Sequence, residues 1–477
     1  MIARLVLLCA LALPQLAAAA PTRFAVVIGN NLAEHAGEVT LRYADDDAAA
    51  THRLLTEAGV HSVLLTTLDA DTQRIDGTAH PDGPATWTAL TGALDGFFEK
   101  MRATADGGEL LLFYSGHGDV AHGEGYVMLE DRRLTRRLLY QLLARSPGRR
   151  NHVIIDACKS YFLAFERGPG GERADYPHAF DDAQVPARLA NTGFILSTSS
   201  DRDSHEWERF QAGIFSHEVR SALRGAADLD GNGRISYAEL GAFLSTANEG
   251  IRNRRFRPDF AIRPPAQALD TEVLVWPGEV AISITGEFGH LYVETSSGDR
   301  LLDTHASKDQ VLGLRLPAER PLFVRRADNS VEFKLTGLTP THLSALTAYG
   351  TGVTRRGALH LAFEQLFHVP FGEAKLAVFA AQLAEGKQLA SQIRHAREAT
   401  RNLTRRALGW TTVGLLGAGV ALSAVAIERY AKGQGASQLD RVSLNETLGD
   451  LEPALGVTFG AAVATGAAWL TTTLRFH

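Results

Sequence analysis

Two apolar runs of strand length in this 477-residue chain end in residues that could do nucleophilic chemistry. Leu110 to Tyr114 runs into Ser115-Gly116-His117-Gly118, and Val153 to Ile155 runs into Asp156-Ala157-Cys158-Lys159-Ser160. In open α/β sheets the reactive groups gather beyond the carboxyl ends of the strands. If these strands are parallel neighbours, His117 and Cys158 emerge at one edge. A thiol with a pKa of about 8.5 is only partly ionised near neutrality, and an adjacent imidazole can take its proton. The thiolate then attacks a carbonyl carbon. Glycines beside His117 allow close backbone approach to a substrate. The Gly118 N–H, with the Cys158 N–H as a second donor, can face a developing oxyanion.

The elements that must position this pair read as alternating strands and helices from 24 to 270. Phe24 to Ile28, Val60 to Leu65 and Phe194 to Leu196 are further strand-like runs. Ala44 to Ala58 is helical in pattern, and Thr86 to Met101 places Leu90, Leu94, Phe97 and Phe98 at helix spacing. Continuous apolar runs fit strands buried on both faces of a parallel sheet, and the alternation implies crossover helices. Beyond 270 the runs shorten: Val273 to Trp276, Val280 to Ile284, Leu291 to Val293, Val311 to Leu316 and Leu322 to Val324, punctuated by Gly, Pro and Asp. They predict a small β-domain.

Tyr-Ser-Gly-His-Gly at 114–118 and Asp-Ala-Cys at 156–158 resemble the two catalytic motifs of the caspase-like cysteine peptidases, and more specifically their bacterial metacaspase-like branch. Val-Ile-Gly-Asn-Asn at 27–31 and Arg-Tyr-Ala-Asp-Asp-Asp-Ala at 42–48 resemble that branch's first strand and following turn. The resemblance covers about 24–265. It implies a caspase-haemoglobinase-type, mostly parallel sheet flanked by helices, a His117–Cys158 dyad needing no third member, and endopeptidase activity on protein or peptide substrates. No organic cofactor is expected.

Charge argues for the substrate. Animal caspases hold an acidic residue with arginines. The comparable stretch here, Ser197 to Asp201 through Glu206-Trp207-Glu208, is acidic. Asp156 matches the aspartate that lines the first specificity pocket of metacaspases. Buried carboxylates favour Arg or Lys, so Asp156, Glu206 and Asp201 are the expected pocket residues. The plainer readings are a strand-end hydrogen-bonding residue for Asp156 and a solvated loop charge for Glu206. Asp45, Asp46 and Asp47 could hold a metal, but they fit better as one helix cap and two dipole partners. One of the three could still face the pocket.

Residues 228–239 fit the EF-hand loop at every informative position. Asp228, Asp230 and Asn232 offer oxygens, Gly233 the sharp turn and Arg234 its carbonyl; Ser236 and Glu239 complete the set. Helical patterns at Ile214 to Leu223 and Tyr237 to Ala247 flank it. Calcium is therefore the expected ion, structural or regulatory. The segment 166–190, rich in Gly, Pro and charge, carries Arg167, Arg173 and Arg188, where a basic-P1 peptidase could cut itself.

The ends suggest export and anchoring. Arg4, the apolar stretch from Leu5 to Leu13 and Ala17 to Ala20 read as a signal peptide over 1–20. Ala407 to Ile427 and Pro453 to Leu474 are each long enough for a membrane helix, and together they predict a two-helix hairpin over 407–474. Arg394, Arg397, Arg401, Arg405 and Arg406 precede the first span. The positive-inside rule would put them in the cytoplasm, whereas a signal peptide would put them outside. The signal is favoured because it alone accounts for residues 1–20. The expected order is leader, peptidase domain 21–270, β-domain 271–339, helical linker region 340–406 and membrane hairpin.

A net charge of −6 argues against nucleic acid as a partner, and two cysteines exclude a disulfide scaffold. Two readings rival an exported, membrane-tethered peptidase. One is a catalytically idle scaffold of the same fold; the other is a calcium-binding surface protein.

Overall fold

The computed structural model describes residues 21–34, 40–75, 79–158, 160–164, 185–197, 206–207, 210, 212–252, 257–350, 365–433, 453–455 and 457–465. The chain divides into two compact units, 1–387 and 388–477. The expected leader over 1–20 lies outside the described residues.

The first unit is built on a six-stranded sheet. Its strands are β1 (Arg23–Asn30), β2 (His61–Thr66), β3 (Glu109–Gly116), β7 (Arg150–Asp156), β8 (Thr192–Ser197) and β12 (Phe260–Arg263), in the order β12-β8-β7-β3-β1-β2. The first five run parallel and β12 closes one edge antiparallel. Every residue of β1 and β3 is buried. Both faces are covered, which explains why these strands read as unbroken apolar runs.

Side-chain alternation sorts the helices. Phe24, Val26, Ile28, Leu110, Leu112 and Tyr114 share a core with Leu90, Leu94 and Phe98 of α3 (Trp87–Ala103) and with Leu139, Leu142 and Leu143 of α4 (Arg136–Arg145). Gly29 points the other way, and a Cβ there would lie 2.7 Å from Ala48 of α1 (Ala44–Glu57). A Cβ on Gly193 would likewise run into Tyr237, the first residue of α7 (Tyr237–Glu249). Helices α1 and α7 therefore cover the opposite face, together with α6 (Ile214–Ser221), which contacts both. Two short helices complete the described set here, α2 (Ala70–Ile75) and α5 (Tyr161–Ala164).

Between β3 and α4 lies an antiparallel meander: β4 (Gly118–Ala121), β5 (Glu124–Met128) and β6 (Arg133–Thr135). A two-stranded ribbon, β9 (Glu206–Trp207) and β10 (Ala212–Gly213), leads into α6. Strand β11 (Arg234–Ser236) pairs with β13 (Glu272–Val275).

At the end of the central sheet remote from the dyad, Glu109 is fully buried. It is held by Arg23 at 2.9 Å, Arg149 at 2.9 Å and Arg150 at 3.3 Å.

The downstream β region holds β14 (Ile282–Thr285), β15 (Leu291–Glu294), β16 (Arg300–Thr304), β17 (Val311–Leu314), β18 (Leu322–Arg326), β19 (Val331–Leu335), β20 (Thr341–His342) and β21 (Ala348–Gly350). They form two sheets, ordered β17-β14-β20 and β16-β15-β18-β19-β21. The helical reading of 340–406 gives way at its start, because 341–350 contributes two strands. Helix begins at Glu373 and runs to Gly433 as α8. This helix contains Ala407 to Ile427 and is long and apolar enough, by length and composition, to cross a membrane. Of the second expected span, 453–455 and 457–465 are helical, and 456 and 466–474 lie outside the described residues.

Candidate active site

The register of the sheet sets the site. Ser115 on β3 lies opposite Asp156 on β7, so the chains leave the two strands together and His117 and Cys158 follow within two residues. The carbonyl of His117 accepts hydrogen bonds from the Met128 N–H at 3.0 Å and the Tyr114 hydroxyl at 3.1 Å. Its Nε2 is shielded from solvent. Cys158 is half-buried in a turn closed by the Ser160 N–H to Ala157 O at 3.3 Å. Ser160, itself buried, donates its hydroxyl to the carbonyl of Ser197 on β8.

A Cβ on Gly118 would lie 2.6 Å from the carbonyl oxygen of Cys158 and 3.0 Å from the Ala157 side chain. The histidine and cysteine loops thus touch through this glycine. The cysteine loop fills the space on the Cβ side of Gly118. Its N–H stays suitable as a donor. His117 and Met128 form a hydrogen-bonded antiparallel pair, so the next pair, Gly118 and Val127, is non-hydrogen-bonded and the Gly118 N–H turns away from β5.

Beside the dyad lies an acidic group. Oδ2 of Asp156 accepts the Ser216 N–H at 3.1 Å and its hydroxyl at 2.7 Å, where a helix start favours negative charge. Asp47 is fully buried and accepts the Gly213 N–H at 2.9 Å, the Ser115 hydroxyl at 3.2 Å and an Arg220 donor at 2.8 Å. A Cβ on Gly213 would come within 2.7 Å of Asp156 and 2.9 Å of Asp47, so these carboxylates flank that residue. Burial pushes Asp47 up to about 7; Arg220 pulls the other way, and Asp156 adds to the rise.

Glu206 accepts the N–H groups of Tyr43 at 2.9 Å and Arg42 at 3.0 Å, just ahead of α1. Its pKa is raised by burial and further by the charge of Asp156. It is therefore an anchored, shielded carboxylate and not a solvated loop charge. Asp201 lies outside the described residues.

None of Asp45, Asp46 and Asp47 caps α1. The N-cap is Tyr43, and the first helical N–H, that of Ala44, bonds Asn31 Oδ1 at 2.8 Å. Asp45 accepts from Asn31 at 2.6 Å and from the Asp69 N–H at 2.8 Å. Burial and its two acidic neighbours push Asp46 up to about 8. Asp47 is the member of the triple aspartate that lies in this group; Ser216 and Arg220 join it without having been singled out from sequence.

The loop 228–239 forms a second constellation. Carboxylate oxygens of Asp228, Asp230 and Glu239 lie within 4.8 Å of one another. Oδ2 of Asp228 accepts the Gly233 N–H at 3.0 Å, while its Oδ1 is buried with no hydrogen-bond partner. Gly233 has φ +76°, which suits glycine at the sharp turn. The Asn232 side chain accepts the Arg234 N–H at 2.7 Å. Ser236 and Glu239 form a capping box at the start of α7. Burial raises both Asp228 and Glu239, and the Arg315 guanidinium lies 3.9 Å from Asp228. A hard cation with oxygen ligands fits this donor set: three carboxylates, one with an orphaned buried oxygen.

The family model for the caspase domain matches residues 22–255. No curated protein matches the chain. Similar solved structures include caspase-1 from Spodoptera frugiperda, 14% identical with TM-score 0.35, covering 51% of this chain and 87% of that one. The Drosophila initiator caspase Dronc is 12% identical with TM-score 0.32, covering 53% and 81%. A structure of pro-sf-caspase-1 is 13% identical with TM-score 0.31, covering 55% and 94%. The sheet, the crossover helices and the family-model match agree: residues 22–255 form a caspase domain, with its cysteine-peptidase fold.

Proposed function

We propose that this chain is a cysteine endopeptidase of the bacterial metacaspase-like branch, cleaving after Arg or Lys. One observation carries the reading: the β3–β7 register that brings the His117 and Cys158 loops out side by side, touching through Gly118. In this mechanism His117 takes the Cys158 proton and the sulfur attacks the scissile carbonyl. The N–H groups of Gly118 and Cys158 receive the oxyanion. The imidazolium then gives its proton to the leaving amine, and water attacks the thioester to release the acid and restore the thiol.

Preference for a basic residue is supported by Asp156 and Glu206, with Asp47 behind them. A guanidinium or ammonium meets carboxylates in a partly desolvated site, where charge-assisted bonds are strong. Asp201 is proposed as an outer member of the same pocket.

Calcium is proposed to occupy 228–239, held by Asp228, Asp230, Asn232, the Arg234 carbonyl, Ser236 and Glu239. Bound there it would neutralise clustered carboxylates and tie the loop to α7. Because α6 carries Ser216 and leads into this loop, the metal is proposed to stabilise the pocket wall. Export by a leader, membrane attachment through α8 and a following span, and self-cleavage within 166–190 complete the proposal. In that segment Arg188 is exposed and 166–184 lies outside the described residues.

The test is cleavage of fluorogenic peptides ending in Arg, Lys or Asp by the full chain, with and without calcium, beside Cys158→Ala. Arg or Lys cleavage lost in the variant is expected. Asp cleavage would refute the pocket. No cleavage, with Cys158 slow towards a thiol probe, would favour the idle scaffold.

A further inference from the structure

We infer that Asp303, on β16 outside the caspase domain, is a positioning residue for the basic-P1 pocket, acting through His217 and Phe210; this rests on the peptidase reading above. Asp303 is fully buried. It accepts hydrogen bonds from Nε2 of His217 at 2.8 Å, Nε2 of His290 at 2.6 Å and Nε of Arg300 at 2.6 Å, with a second bond from the Arg300 guanidinium. Its own backbone N–H donates to the Ser221 hydroxyl at 3.0 Å. His217 and Ser221 are one turn apart on α6, so β16 is fastened to that helix at two points.

Both pocket walls lead back to this carboxylate. Ser216, the residue before His217, supplies the two hydrogen bonds to Asp156. The His217 ring also stacks on Phe210 with centroids 4.0 Å apart, and Arg300 lies 5.0 Å from the same ring. Phe210 is thus clasped between two of the partners of Asp303, His217 and Arg300. It belongs to the ribbon that carries Glu206 on one strand and Gly213 on the other. Burial pushes Asp303 up, but Arg300 and the histidine donors hold it well below the usual carboxylate range. As a buried anion it fixes the proton of His217 on Nε2 and hence the orientation of the ring. The dyad itself hangs on β3 and β7 and needs none of these contacts.

The experiment uses the full chain with Asp303→Asn, His217→Ala, His217→Gln and Phe210→Leu. Asp303→Asn and His217→Ala should raise KM for Arg-P1 peptides about tenfold, with kcat within about threefold and iodoacetamide labelling of Cys158 unchanged. His217→Gln, which keeps an N–H for Asp303, should recover most of the KM. Phe210→Leu carries the same expectation as Asp303→Asn and decides the matter if that variant does not fold. An unchanged KM in folded variants overturns the inference. So does a fall in kcat and labelling together at constant KM, which is what loss of folded enzyme gives. A wild-type chain that cleaves neither Arg nor Lys substrates refutes the pocket reading instead, and the inference with it.

Discussion

Asp228→Asn tests the calcium loop most directly, because the structure predicts the sign of its effect under two conditions. Three carboxylates lie within 4.8 Å, and the buried Asp228 Oδ1 has no hydrogen-bond partner. Without metal their mutual repulsion is offset by N–H donors, by the Ser236 hydroxyl on Glu239 at 2.7 Å and by Arg315 at 3.9 Å from Asp228. With free calcium at about 100 times Kd, binding to the folded state contributes about 2.7 kcal/mol. For a unit spanning 1–387, at about 2.1 cal/mol/K of unfolding entropy per residue, each kcal/mol moves Tm by about 1.2 °C, so the shift should be about 3 °C. Asn at 228 can keep the Gly233 N–H bond through its own oxygen but removes one charge and one ligand. The variant should therefore melt at or above wild type in chelator, and its calcium shift should fall below about 1 °C. Calorimetry or fluorimetry of the detergent-solubilised full chain reads both. A wild type with no calcium shift refutes the metal site; an equal shift in Asp228→Asn refutes the ligand assignment.

Three further outcomes are expected. Gly118→Ala puts a methyl group 2.6 Å from the Cys158 carbonyl, and the loops must part to admit it. Peptidase kcat should fall at least about tenfold in a chain that still folds, because a displacement of about 1 Å in a catalytic loop has effects of this order. Burial raises Asp47 to about 7, so the pocket gains negative charge as pH rises through neutrality. The ratio of kcat/KM for Arg-P1 over neutral-P1 peptides, in which thiol ionisation cancels, should rise between pH 6 and 8 by about the fraction ionised; a flat ratio would exclude Asp47 from recognition. Mass spectrometry of the purified chain should find cleavage after Arg167, Arg173 or Arg188 in wild type and none in Cys158→Ala, and the same fragments in both would sink self-processing.

What was legible in the sequence, and what was not, follows from the range of the interactions. Strands β1, β3, β7 and β8 could be read because burial on both faces demands unbroken apolar runs, and the dyad because its residues directly follow two of them. The edge strand β12 escaped notice. It is four residues long and ends in Arg263, whose charge is answered only in three dimensions, by the Thr192 carbonyl at 2.6 Å. The cap expected within the triple aspartate fails because a local rule was applied where distant partners rule, although all three do lie in the first turn of α1. Asp47 bonds Ser115, Gly213 and Arg220, which lie 68, 166 and 173 positions along the chain. The β region was foreseen in kind but not in its borders. Strand β13 is taken up by strand β11 of the 228–239 loop, and β20 and β21 extend past 340.

The buried Glu109 bears on more than charge balance. Arg23 and Arg150, two of its three partners, are also its register partners across the ladders to β1 and β7. Sliding either neighbour by a single position would send the paired guanidinium to the opposite face and leave the buried Glu109 short of one of its three partners. Apolar strands such as these carry little else to distinguish one alignment from the next. The knot acts as an index pin, and its setting is carried along rigid strands to Ser115 and Asp156 at the far end. Residues that never meet a peptide bond thus decide whether thiol and imidazole arrive at the same height. On the proposed peptidase reading, substitutions at Glu109 should consequently surface as loss of activity in a chain whose His117 and Cys158 are both intact.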